Sequence, residues 1–250
     1  MTGSREPTRK ARNEEILDVR RRSAPTADAP RLLVTAFGRF DGGPNCSDML
    51  LDRLVRERET IEALWGGPVG FARLVVDTQA ADRQLAAALA EARPTHVLLT
   101  GQAAGREAVS FERVARNVRD LGAPDERGLA GPLGPVRPGG PATRAATWPD
   151  LEGAVAAVAD AGVPAALSDD AGTHLCNQTL YLALEAAERA SPGFVATFLH
   201  LPLAPEQVAA GAPAAARLDA CFAMPIDDMA RAVAAFLVHT RRSSHDTPDP

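Results

Sequence analysis

The sequence predicts a single three-layer α/β/α sandwich around a largely parallel, mixed and twisted sheet. Two observations predict it. Short apolar runs of strand length alternate with longer stretches of helical periodicity from residue 31 to about residue 240. The composition, 46% hydrophobic, 24% charged and only 4% aromatic, is that of a globular protein whose core is built from aliphatic side chains. No internal repeat divides the chain.

Taken in order, residues 1–30 form a charged arm ending in "SAPTADAP", too poor in large apolar residues to pack, and they read as disordered. "RLLVTAF" (31–37) is a buried strand. "SDMLLDRLVRER" (47–58) is a helix with Ser47 as its N-cap. "FARLVV" (71–76) and "QAADRQLAAALAEA" (79–92) supply the next strand and helix, and "THVLLT" (95–100) a third strand behind Pro94. "AVSFERV" (108–114) alternates like a strand and leads into a connecting region rich in Gly and Pro, 122–149. The helix "DLEGAVAAVADA" stops at Gly162. "VPAALS" (163–168) then runs into "DDAGTHLCNQTLY" (169–181) and its helix. "FVATFLH" (194–200) is the last strand and "DDMARAVAAFLVHTRR" (227–242) the closing helix. The expected organisation is an arm (1–30), one domain (31–240) and a flexible tail (241–250).

A formal net charge of -5 gives no basis for nucleic-acid binding. No apolar run approaches the roughly 18 residues of a membrane span. The first residues lack the apolar centre of a secretory leader, so a cytoplasmic location is the expectation. Cys46, Cys176 and Cys221 are odd in number and scattered; they form neither a disulfide framework nor a metal-ligand spacing. His96 reads as structural, and Cys46 and Cys221 as buried fillers.

In sheets of this kind ligands bind beyond the carboxyl ends of strands. Three such places carry reactive residue types: Glu112, Cys176 and His200. Cys176 has two readings. It is a small apolar filler, as free cysteines commonly are, or a nucleophile favoured as thiolate by a helix start. His200 is a proton acceptor or a strand-end histidine satisfied by backbone. Glu112 orients that histidine, or it pairs with Arg113 or Arg116 on a solvated face.

The local strings "GQAAGREAVSFERVARN" (101–117), "DDAGTHLCNQTLY" (169–181) and "FLHLPLAPEQ" (198–207) closely resemble the pyroglutamyl peptidase I family of cysteine peptidases. "LLVTAFGRFDGGPNCS" and "GAPDERG" are similar to its first loop and to the segment after its glutamate. The resemblance implies a hydrolase-like α/β/α fold, with Cys176 as nucleophile, His200 as base then acid, and Glu112 as the partner of the histidine. It implies a pocket for the pyroglutamyl ring at Phe37, Phe40, Gln102, His174 and Leu175. It also implies peptide substrates with an N-terminal pyroglutamate, no metal or organic cofactor, and a tendency of the family to form homo-oligomers.

Three departures concern the pocket. His174 stands where the family has an aromatic residue, Gly122 where it has an arginine, and Ala123 where it has an isoleucine. They predict a wider pocket lacking one charge, with His174 as a substitute basic group. Two other outcomes belong to the same scaffold: an amidase for another lactam or N-acyl amide, and a non-catalytic binding protein.

Overall fold

A computed structural model describes residues 29–219 and 221–245. The arm expected over 1–30 therefore lies outside the described residues, except for its last two. Strands are β1 (Leu32–Phe37), β2 (Val69–Leu74), β3 (His96–Gln102), β4 (Val109–Glu112), β5 (Val114–Arg116), β6 (Arg119–Leu121), β7 (Gly131–Gly134), β8 (Thr143–Ala145), β9 (Ala165–Ser168) and β10 (Val195–Leu201). Helices are α1 (Cys46–Arg56), α2 (Arg58–Trp65), α3 (Thr78–Ala92), α4 (Leu151–Asp160), α5 (Leu175–Arg189), α6 (Pro205–Ala209), α7 (Pro213–Ala216) and α8 (Ile226–His245). None of these helices is long and apolar enough to cross a membrane.

Six strands form the central sheet in the order β2-β1-β3-β10-β4-β9. All neighbours run parallel except β10 and β4, which are antiparallel. The three layers follow from the period-2 pattern of β1, whose six residues are all buried. Leu32, Val34 and Ala36 pack on one face with residues of α1, α2, α4 and α8. Leu33 and Phe37 face the other way, into a second core with residues of α3 and α5.

Local differences from the expected elements have local causes. The first helix starts at Cys46 because Asn45, not Ser47, is its cap: the Asn45 side chain accepts from the Ser47 N–H at 3.0 Å. The Ser47 hydroxyl lies 2.8 Å from the same Asn45 oxygen and 3.2 Å from the Phe37 carbonyl. Behind α1 the chain breaks at Glu57 and restarts as α2, which buries Ile61 and Trp65. The Gly/Pro-rich connection is more structured than its composition suggests. Its segments β7 and β8 pair with β6 and β5 in two small antiparallel sheets. The closing helix continues to His245, into the segment expected as tail, and Arg241 donates to the Ala63 carbonyl at 3.0 Å.

His96 opens β3 between both tryptophans of the chain, edge-on to Trp65 at 4.8 Å and to Trp148 at 5.0 Å between ring centroids. Burial pulls its imidazole down to about 4 from the ordinary 6.5. Between these values the unfolded chain binds a proton that the folded chain refuses. The stability contributed by a neutral His96 is therefore complete above pH 6.5 and falls as the pH drops toward 4. The expected loss over that window is about 3 kcal/mol. Urea unfolding at pH 7 and pH 4.5 checks it: His96→Phe should show a smaller acid destabilisation than the wild type, and an equal one would refute the assignment.

Candidate active site

The reversal of direction between β10 and β4 brings two of the candidate residues together. Phe198 pairs with Glu112 and His200 with Ser110. Residues directly opposite share a face, as do residues two apart, so Glu112 and His200 are diagonal neighbours on one face. His200 Nδ1 lies 2.7 Å from Glu112 Oε1. With Nδ1–H donating to the carboxylate, Nε2 is left as the proton acceptor.

Glu112 is fully buried, and a buried carboxylate needs compensation. Arg106 supplies it, not Arg113 or Arg116, which pair with Asp169 and Asp170. The Nη2 of Arg106 lies 3.1 Å from Glu112 Oε1, 3.0 Å from Ser168 Oγ and 2.7 Å from the Asp170 carbonyl. One guanidinium thus ties the β4 carboxylate to the loop that leads into α5. Glu112 Oε2 has no partner, so both donors converge on a single oxygen.

Cys176 is the second residue of α5, after the extended cap residue His174. Its position depends on a glycine in the neighbouring strand. Gly101 on β3 pairs with His200 on β10. A Cβ at Gly101 would stand 2.9 Å from Cys176 Sγ and 2.7 Å from Phe198 Cζ, closer than real contacts allow. The thiol therefore occupies the space a side chain would take, beside the strand position of His200. Gly101→Ala should lower kcat/KM by about 100-fold or more, because a shift of an ångström at a reacting atom has that cost. Near-wild-type kcat/KM in a folded Gly101→Ala protein would sink this reading of the glycine.

The helix start does not produce a resting thiolate. Burial, with the charge of Glu112 second, pushes the Cys176 thiol up to about 12, against the opposing pull of its own backbone N–H. Asn177 clamps the next residue to β5: its side chain accepts from the Arg116 N–H at 2.7 Å and donates to the Arg116 and Val118 carbonyls at 2.8 and 2.9 Å.

Cys176 and His200 line a cavity of about 380 Å³ together with Phe37, Phe40, Gln102, His174 and Leu175. Glu112 is the one candidate behind the wall, reached through His200. Most of the lining is aromatic or aliphatic, and Arg106 and Arg217 are its two arginines. His174 does not replace the missing arginine. Burial holds its imidazole below the usual histidine range, outweighing the hydrogen bond to Ala123, so it is neutral at neutral pH. Its Nε2 lies 3.0 Å from the Ala123 carbonyl, which can only accept, and its ring stands 5.5 Å from that of Phe40. No atom lies within 4 Å of a Cβ built at Gly122, which leaves that side of the loop open. The loop is pinned three residues on, where Asp125 accepts from the Thr78 N–H and hydroxyl at 3.1 and 3.0 Å.

Of the remaining cysteines, Cys46 is buried beside Gln102 and burial pushes its thiol up. Cys221 is half-exposed, not the buried filler expected. Among the described residues no group of three or more His, Cys, Asp or Glu side chains is placed to hold a metal ion. Arg106, Asn177 and Gln207 act on the site without having been singled out from sequence. All three sit inside the quoted strings, but their roles depend on contacts 62, 61 and 105 residues away.

A family model described as "Pyroglutamyl peptidase" matches residues 31–241. A pyrrolidone-carboxylate peptidase of Clavibacter michiganensis is 38% identical over 180 residues, 71% of this chain and 81% of that protein. One of Gloeobacter violaceus is 38% identical over 178 residues, 71% of this chain and 83% of its own length. Among solved structures, pyroglutamyl peptidase I of Bacillus amyloliquefaciens superposes with a TM-score of 0.73 at 25% identity, covering 85% of this chain and 97% of that one. Pyrrolidone carboxyl peptidase of Thermococcus litoralis superposes at 0.76 and 24% identity, covering 88% and 99%, and speaks to the fold alone.

Proposed function

The chain belongs to the pyroglutamyl peptidase family, and on that premise we propose that Cys176, His200 and Glu112 carry its reaction. It is a cysteine peptidase that removes the N-terminal pyroglutamyl residue of peptides. The observation supporting the assignment of residues is the buried His200–Glu112 hydrogen bond of 2.7 Å behind the cavity that Cys176 lines.

In this reading the lactam ring sits between Phe37, Phe40 and Leu175, whose apolar surfaces suit its faces. His200 Nε2 takes the thiol proton as Cys176 Sγ attacks the carbonyl carbon linking the ring to the next residue. Glu112 stabilises the imidazolium so formed. Backbone N–H groups at the start of α5, unsatisfied within the helix, stabilise the oxyanion. The tetrahedral intermediate collapses to a thioester, and the imidazolium gives its proton to the leaving amine. Water then attacks the thioester with His200 again as base, releasing pyroglutamate and restoring the thiol.

The test is release of pyroglutamate from a chromogenic pyroglutamyl amide by the purified full chain, before and after alkylation of its thiols. Alkylation-sensitive release is expected; no release would overturn the reading. Gly122 is exposed and lies outside the cavity lining, so the preferred acyl group is read from a panel of lactam and N-acyl amides ranked by kcat/KM.

A further inference from the structure

Gln102 is a polar group on a largely apolar cavity wall, and an amide can present either a donor or an acceptor to a ligand. Which one it presents follows from Gln207, on the short helix α6. Gln207 is 1% exposed, and both ends of its amide meet backbone groups of fixed polarity. Its oxygen accepts from the Ala204 N–H at 2.9 Å, a group that only donates. Its nitrogen donates to the Pro44 carbonyl at 2.7 Å, a group that only accepts. The amide therefore cannot turn over without breaking both bonds.

The second hydrogen on that nitrogen points at Gln102, 2.7 Å away, which must answer with its oxygen. The Cys46 N–H, 3.5 Å from the same oxygen, enforces the same choice. The Gln102 nitrogen is then left for the cavity.

Building on the proposed function, we propose that Gln207 is a positioning residue for specificity: by holding the Gln102 amide oxygen-inward, it makes the pocket present a hydrogen-bond donor that recognises the ring carbonyl of the lactam rather than its ring N–H. The ring carbonyl distinguishes a pyroglutamyl from a prolyl residue, so the donor selects for the oxidised ring.

The experiment compares wild type, Gln207→Leu, Gln207→Glu and Gln102→Glu in the full chain, with KM and kcat for a pyroglutamyl amide and inhibition by cyclopentanone, a ring carbonyl without a ring N–H. Gln207→Leu frees the Gln102 amide and should raise KM about tenfold with kcat changed less than about threefold. Gln207→Glu is closer in shape, yet it sets an acceptor against Gln102 and turns that amide over, so its KM should rise further. If either fails to fold, Gln102→Glu decides: it keeps both inner contacts and puts an acceptor in the cavity, raising KM and weakening cyclopentanone in parallel. Unchanged KM in the folded Gln207 variants, or undiminished cyclopentanone inhibition in Gln102→Glu, overturns the proposal. A wild type that hydrolyses no pyroglutamyl amide overturns the functional reading instead, and cyclopentanone binding to wild type and Gln102→Glu still decides the donor polarity.

Discussion

Cys176→Ala should abolish hydrolysis of a pyroglutamyl amide, with a fall in kcat of about 10⁴-fold or more. The chemistry leaves no substitute. Cys46, the nearest other thiol, is fully buried and its Sγ faces the Leu201 carbonyl at 3.9 Å. The fold should barely respond, since Cys176 is partly exposed to the cavity and alanine suits the second position of a helix. An unchanged Tm with activity at background is the expected pair of readings. Substantial residual turnover would remove Cys176 from the mechanism. The raised thiol adds a kinetic signature: alkylation of Cys176 should keep accelerating beyond pH 9, where a preformed thiolate would already have reached a plateau.

Two replacements of Glu112 should separate charge from geometry. Because both donors converge on Oε1 and Oε2 has no partner, a glutamine fits with its oxygen in the working position and its nitrogen where nothing is displaced. Glu112→Gln therefore keeps the imidazole oriented and removes only the negative charge behind it. A loss of about 10²- to 10³-fold in kcat is expected, from the imidazolium that is no longer stabilised. Glu112→Ala removes the geometry as well and leaves the Arg106 cation close to His200 with nothing between them. Its loss should be about tenfold greater. Equal losses would mean that the carboxylate acts through position alone; full activity in Glu112→Gln would remove it from the mechanism.

The elements read most readily from sequence are those whose signal is local. The six buried residues of β1 show as an uninterrupted apolar run, and α3 and α5 show helical spacing bounded by turn residues. Cys176, His200 and Glu112 stood out by residue type and by their surrounding strings. Partnerships were less accessible. Alternation identifies β4 as a strand but does not say that it runs against β10, and that direction places Glu112 beside His200. Arg106 has no local feature that distinguishes it from Arg113, the arginine next to Glu112 in sequence; its contact with Glu112 is made by a loop folding back. The balance at the thiol is likewise only half legible, because a helix start is a sequence feature whereas desolvation is a tertiary one. Gln207 illustrates the same limit: its meaning lies in Pro44 and Gln102, on other segments.

The place of β10 has a consequence for biosynthesis. It is the last strand of the sheet to leave the ribosome, yet it lies between β3 and β4. A nascent chain that has made Glu112 and Cys176 still lacks both the imidazole and the strand that joins the two halves of the sheet. Those halves cannot join through β10 until residues 195–201 are available, and this long-range closure should be a slow step of folding. Catalytic competence therefore arrives with completion of the sheet, so a prematurely terminated chain carries a thiol but no means to use it.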